Sequence, residues 1–253
     1  MKNALEMLRT ETRELRRVVA HSLYRSPALE RGAIWSYSVF GEDRVALGWL
    51  LESGVQIEDI RYLDIGASDP VALSNTMLMY QHGAKGVLVE PDMEMAKKLR
   101  ARRVRDLVID AAVAFDERRS GMLIRFSSSV FNTFSETQAE EVVRYTAKSD
   151  SRQAVLGRIE VELVPINDII ERHLGGVAPH FLSIDAESVD FEILRSLDFG
   201  RFRPWIICVE KFRGPSEFGA LLVPRGYRVI CETPHNLMFM LDPQPAVGGT
   251  ERR

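Results

Sequence analysis

Residues 61–90, RYLDIGASDPVALSNTMLMYQHGAKGVLVE, read as strand, turn, helix and strand. Tyr62–Ile65 is an apolar run that carries one acid, Asp64, and breaks at Gly66. Gly86–Val89 is a second apolar run, and it ends on Glu90. Two strands joined through a helix must cross over right-handedly, so their carboxyl ends open on the same edge of one sheet. Acids at both ends then face one crevice. Gly66 can adopt positive φ and lets a ligand approach the turn. Ser74 reads as the N-cap of a helix from Asn75 to about His82, whose free N–H groups suit a carboxylate. Glu90 has two oxygens with which to accept both hydroxyls of a ribose. The third glycine of a dinucleotide fingerprint is absent from this turn, so the unit suits a single nucleoside better than a dinucleotide.

The chain of 253 residues is long enough for one large α/β domain with an appendage. Its formal net charge of −3 gives no bulk reason to expect a nucleic acid or a membrane surface as partner. The basic clusters at Arg13–Arg17 and Lys97–Arg105 read as solvated helix faces. Cys208 and Cys231 lie in strand-like apolar runs and read as reduced thiols. No apolar run approaches the roughly 18 residues of a membrane span. The charged N-terminal segment MKNALEMLRTETRELRR is unlike a signal peptide, which leaves the cytoplasm as the default compartment.

Outward from the central unit, Leu5, Leu8, Leu15, Val19 and Leu23 recur at helical spacing over residues 3–25, with charges between them. That stripe needs a surface, either its own domain or a second copy in a homodimer. SYSVFGED, 36–43, precedes a helix that Gly54 ends, and lies where a pocket wall or lid belongs. Strands are expected at 107–112, 122–126, 161–164, 180–184, 205–209, 226–232 and 237–241, the last two as an antiparallel pair. Helices are expected at 93–103, from a Ser135 cap to about Ala147, at 166–173, and after Ser188. The resulting fold class is α/β: a doubly wound, mostly parallel seven-stranded sheet. Residues 1–35 form an N-terminal helical extension, 36–242 the sheet domain and 243–253 a disordered tail.

Five acids fall at carboxyl ends of strands: Asp64, Glu90, Asp110, Asp185 and Glu210. The first three suit a nucleoside, Asp110 through an adenine amino group. The last two, with Glu187, lie a strand or two away, where a second substrate would sit. Asp185, Glu187 and Glu210 offer hard oxygens for Mg²⁺; alternatively Asp185 or Glu187 acts directly as a base. His180, His235 and Lys211 are further candidates, His180 reading as structural.

Seven segments in order resemble one family: SYSVFGED (36–43), LDIGASDP (63–70), SNT (74–76), LVEPD (88–92), FNTFSE (131–136), FLSIDAESVDFEIL (181–194) and RPWIICVE (203–210). The resemblance is to the FkbM-type methyltransferases that use S-adenosylmethionine (SAM). It implies the Rossmann-like methyltransferase fold, O-methylation of a hydroxyl on a sugar or glycosylated small molecule, and SAM binding by Asp64, Gly66 and Glu90. Val39, Ser68-Asp69 and Ser188 depart from the family's usual residues. Two rival readings stand beside it: an NAD(P)-dependent Rossmann oxidoreductase, and a non-catalytic assembly module that acts through the N-terminal helix.

Overall fold

A computed structural model describes residues 36–147, 152–186, 189–211 and 215–242. The helix expected over 3–25, the homodimer contact built on it, the tail after Asp242, and both Glu187 and Ser188 lie outside the described residues.

The chain first forms helix α1 (Glu42–Glu52), entered through Gly41 at φ 91°. Strand β1 (Arg61–Ile65), helix α2 (Met77–Gln81), β2 (Lys85–Val89), α3 (Met93–Arg102) and β3 (Leu107–Ile109) follow. Next come β4 (Ala112–Ala114), β5 (Ser120–Phe126), α4 (Glu136–Thr146) and β6 (Val155–Pro165). The chain continues through α5 (Ile166–His173), β7 (Phe181–Ile184), α6 (Asp190–Ser196), β8 (Ile206–Glu210), α7 (Pro215–Leu222), β9 (Tyr227–Glu232) and β10 (Asn236–Leu241).

The main sheet has seven strands in the order β3-β2-β1-β7-β8-β10-β9. All neighbours pair in parallel except β10, which runs antiparallel to both β8 and β9. A dinucleotide fold would continue with parallel strands in the order 3-2-1-4-5-6. Here the antiparallel β10 is inserted beside β8, which sets this sheet apart from the oxidoreductase alternative.

Both faces are covered, which is why the strands read as continuous apolar runs. Leu63, Ile65, Val87, Leu182, Ile184 and Ile207 pack on one side against Ile169 of α5, Leu194 of α6 and Phe218 of α7. Tyr62, Leu88, Phe181, Cys208 and Met238 pack on the other against Leu50 of α1, Leu78 of α2 and Leu99 of α3. Both cysteines are free; Cys208 is buried and Cys231 half-buried. Among the described residues, no helix is long and apolar enough to cross a membrane.

The region between β3 and α5 departs from expectation. The strand read over 107–112 splits at Asp110–Ala111, and its halves enter different sheets. β4, β5 and β6 form a separate three-stranded sheet in the order β4-β6-β5. β6 starts at Val155, six residues before the expected boundary, because its first half alternates exposed and half-buried positions rather than reading as a core strand. Ser135 caps α4 by accepting the Gln138 amide at 3.3 Å, and the Gln138 side chain accepts the Thr133 hydroxyl at 2.6 Å. Helix α7 was not expected at all.

Candidate functional site

A cavity of about 570 Å³ opens beyond the carboxyl ends of β1, β2 and β7, at the point where the strand order reverses. This is where open α/β sheets bind ligands, and the volume suits a cofactor-sized molecule. One wall is the loop after β1. Gly66 and Ala67 donate their amides to the Val89 carbonyl at 2.9 and 3.2 Å. Gly66 sits at φ 79°, and a Cβ there would lie 1.8 Å from the Asp185 carbonyl oxygen. No other residue fits, so this glycine lets β1 and β7 close at the cavity floor. Ser68 and Leu73 also hold positive φ, 44° and 63°, a strained backbone for non-glycine residues. Asp69 supports the loop between them, its side chain accepting the Val71 and Ala72 amides at 2.9 and 2.8 Å.

Glu90 lies at the junction of loop and β2. Its two oxygens accept the backbone N–H groups of Ser68 and Asp92, both at 2.8 Å. Burial pushes its carboxyl up to about 7, although those two N–H groups oppose the shift. Each oxygen keeps a second acceptor site. A buried carboxylate clamped in this way suits a vicinal diol, which would supply the missing donors.

Asp64 faces away from the cavity. Thr76 donates to it at 2.7 Å, and its carboxyl is raised by burial against the pull of Thr76, Arg103 and Ser183. Behind it, Arg103 is fully buried. It donates to Asp106 at 2.9 Å, to the Tyr62 hydroxyl at 3.1 Å, to Thr76 at 3.0 Å and to the Pro70 carbonyl at 3.3 Å. The expectation of a solvated basic face is therefore corrected at this residue. Arg103 is the post to which the β1 loop is tied, and a guanidinium buried with this many acceptors is fully paired. Ser74 belongs to the same buried layer. Its hydroxyl accepts the Thr76 and Met77 amides at 3.4 and 3.1 Å, so it closes the start of α2, which begins two residues later than expected. Ser74 and Asp64 are outside the cavity lining, while Gly66, Glu90 and Asp185 are in it.

The small sheet supplies the opposite wall, with Arg125, Ser128, Asn132 and Phe134 facing the cavity. It is latched to the residue that caps α3. Asp92 accepts Arg125 at 2.8 Å and Asn132 at 2.9 Å on one oxygen, and the Glu94 amide at 2.9 Å on the other. Burial would raise the Asp92 carboxyl; these bonds, Arg125 first, hold it below the usual range. Replacing Arg125 with alanine removes a charge-assisted bond from a buried carboxylate, which costs about 1.5–3 kcal/mol. The expected outcome is faster amide hydrogen exchange in β5 and β6 and cofactor affinity weakened about tenfold. Unchanged protection of β5 would contradict the latch.

Asp185 follows β7 and presents its carboxyl to the cavity. Asp185 is solvent-exposed toward the cavity, yet the protein atoms packed around it, with the Asp190, Asp64, Glu42 and Glu90 carboxylates nearby, push it up to about 7. Glu90, which is buried, thus retains a proton in the folded state that the unfolded chain has already lost above roughly pH 4–5. The folded state binds more protons, so stability falls as pH rises through the window up to about 7. Urea midpoints of the free protein at pH 5.5 and 7.5 check this, the higher value being expected at 5.5.

Residues 64–242 match the methyltransferase FkbM domain. The chain belongs to the FkbM methyltransferase family. A search of curated proteins gave no match. Among solved structures, a TehB-like SAM-dependent methyltransferase from Corynebacterium glutamicum is 9% identical, with 88% of this chain and 99% of that chain aligned at a TM-score of 0.40. An O-methyltransferase from Bacillus cereus in complex with SAH is 12% identical over 90% of each chain, at a TM-score of 0.42. An RNA methyltransferase from Salinibacter ruber is 14% identical, over 80% of this chain and 94% of that one, at 0.33. Nothing about the acceptor of this FkbM methyltransferase follows from likenesses so distant.

The remaining expected site residues are dispersed along the sheet edge. Asp110 is bound by Arg100 of α3 in a bidentate ion pair and does not line the cavity. Glu210 ends β8 opposite Asn236 of β10, and Lys211 is paired with Glu232 at 2.8 Å. His235 is exposed in the turn before β10, where it stacks on Phe40. His180 is at the far edge of the sheet, accepting the Arg61 amide at 3.0 Å, in keeping with a structural role. Among the described residues, no group of three or more His, Cys, Asp or Glu side chains could hold a metal ion. The Mg²⁺ site expected at Asp185 and Glu210 therefore has no support: parallel strands hold the two acids without a third ligand between them, and Glu187 is outside the described residues.

Proposed function

We propose that this FkbM methyltransferase uses SAM to methylate a hydroxyl of a sugar or glycosylated small molecule, with Asp185 as the base. The observation that carries this reading is the pairing of Glu90 and Asp185 across one cavity. Glu90 is a clamped acceptor suited to the ribose diol, and Asp185 is a carboxylate poised near neutrality. SAM, when bound, supplies an electrophilic methyl group on a sulfonium. The chain's part is to hold the ribose at Glu90, to allow close approach along the Gly66 turn, and to take the acceptor proton at Asp185. A sugar hydroxyl is a weak nucleophile while protonated, so a base with a pKa near the working pH is the most effective kind. Alignment of the two reactants within the cavity supplies the rest, on the order of 7–11 kcal/mol where geometry is good.

The test is calorimetry with SAM, followed by transfer of labelled methyl from SAM to a panel of glycosides. A folded chain that fails to bind SAM sinks the cofactor assignment. A chain that binds SAM and methylates amines or thiols but no hydroxyl sinks the acceptor assignment.

A further inference from the structure

We propose that Phe40, backed by the stacked His235 ring, forms an aromatic platform on which the ring of a pyranose acceptor lies, with Glu42 as its mount. The inference rests on the sugar-methyltransferase reading above and gives its acceptor a binding surface.

The two rings stack with centroids 5.3 Å apart and planes 26° from parallel. Phe40 comes from the loop before the first helix and His235 from the turn before the last strand, nearly the full domain apart in sequence. One buried side chain holds both. Glu42 is fully buried. One of its oxygens accepts the Phe40 amide at 2.8 Å. The other accepts the Thr233 hydroxyl at 2.8 Å and the Asn236 side-chain amide at 2.9 Å, on either side of His235. Burial would raise the Glu42 carboxyl, but the bonds from Asn236, from the Phe40 amide and its own, and from Thr233 outweigh it and hold it low. The carboxylate stays charged, and charge-assisted bonds are the strong kind. Asp43 fixes the other end of the loop, accepting Ser36 and the Tyr37 amide, both at 2.7 Å.

This rigid mount carries a phenyl ring left 43% exposed. A scattered surface phenylalanine needs no explanation. Here, however, a buried charge is committed to the backbone that carries it. Register sets its distance from the base. Ile184 of β7 pairs with Val209 of β8, and Glu210 of β8 pairs with Asn236 of β10. Asp185, Glu210 and Asn236 therefore stand at one level on three adjacent strands, and the backbone at Asn236, next to His235, lies about two strand spacings, roughly 10 Å, from that of Asp185. That span accommodates a pyranose with an exocyclic substituent. The negative face of an aromatic ring attracts the C–H groups that line one face of a pyranose. The ring hydroxyls then remain free, one of them toward Asp185.

Methyl glycosides of glucose, mannose and rhamnose are the probes, observed by saturation-transfer NMR on the full chain with S-adenosylhomocysteine added. The expected result is saturation concentrated on the C–H groups of one ring face, lost at least fivefold in Phe40→Ala and restored in Phe40→Trp. Calorimetric SAM affinity should stay within twofold in both variants, which shows that they fold. In turnover, Phe40→Ala should raise the acceptor KM more than it lowers kcat. Glycoside contacts as strong in Phe40→Ala as in the wild-type chain overturn the platform. So does a wild-type chain that binds SAM and none of the glycosides. A wild-type chain that does not bind SAM overturns the methyltransferase reading itself, and the platform with it.

Discussion

Glu90→Ala is expected to weaken SAM binding a hundredfold or more. Two ribose hydroxyls donating to an ionised, buried carboxylate are worth about 1.5–3 kcal/mol each. Their joint loss, roughly 3–6 kcal/mol, corresponds to about two to four orders of magnitude in Kd. The substitution has a second effect that must be separated from the first. The amides of Ser68 and Asp92 both donate to Glu90, and truncation leaves them without this acceptor. Each orphaned N–H costs about 1–3 kcal/mol, so the melting temperature should fall as well. Glu90→Gln separates the two effects. It keeps the shape and one acceptor oxygen but turns an NH₂ toward one of the backbone donors. It should recover part of the stability and little of the affinity. A Glu90→Ala chain that is folded and binds SAM as the wild type does would end the ribose assignment.

Much of the sheet was legible because the signals that define it are local. Tyr62–Ile65 and Gly86–Val89 are short apolar runs broken by Gly66 and Glu90, and burial on both faces makes such runs continuous. Gly66 was legible for the same reason, although its need for a bare Cα comes from the Asp185 carbonyl more than from a ligand. The insertion was less legible. The first half of β6 alternates exposed and half-buried positions although it is the middle strand of the small sheet, and nothing local marks the sheet change at Asp110–Ala111. Side-chain partnerships across long separations carry no sequence signal. A row of arginines and lysines at 97–105 looks uniform, yet Arg103 is buried under Tyr62 and Thr76 while Arg100 turns outward to Asp110. Five acids at strand ends suggested one converging site. Their surroundings sort them: Asp64 inward, Asp110 to an ion pair, and only Glu90 and Asp185 to the cavity.

That sorting makes Asp185→Asn the sharper test of chemistry. If Asp185 takes the acceptor proton, the variant should lose about 10²–10⁴ in kcat, the usual range for a general base. Its SAM affinity should change little, because the amide keeps the shape and the cavity keeps Glu90. In the wild-type chain, kcat at saturating SAM should rise with pH to a plateau, with an apparent pKa near 7 set by burial and the surrounding carboxylates. The variant should lack that rise. The carboxylate with the largest influence among them, Asp190, offers an independent lever: it accepts the Ala186 amide at 2.8 Å, a bond that asparagine can keep. Asp190→Asn removes one negative charge beside Asp185 and should shift the wild-type profile toward lower pH. Should Asp185→Asn instead raise the SAM Kd while leaving kcat and its pH profile intact, Asp185 serves the bound cofactor. The base must then be sought elsewhere along the same edge.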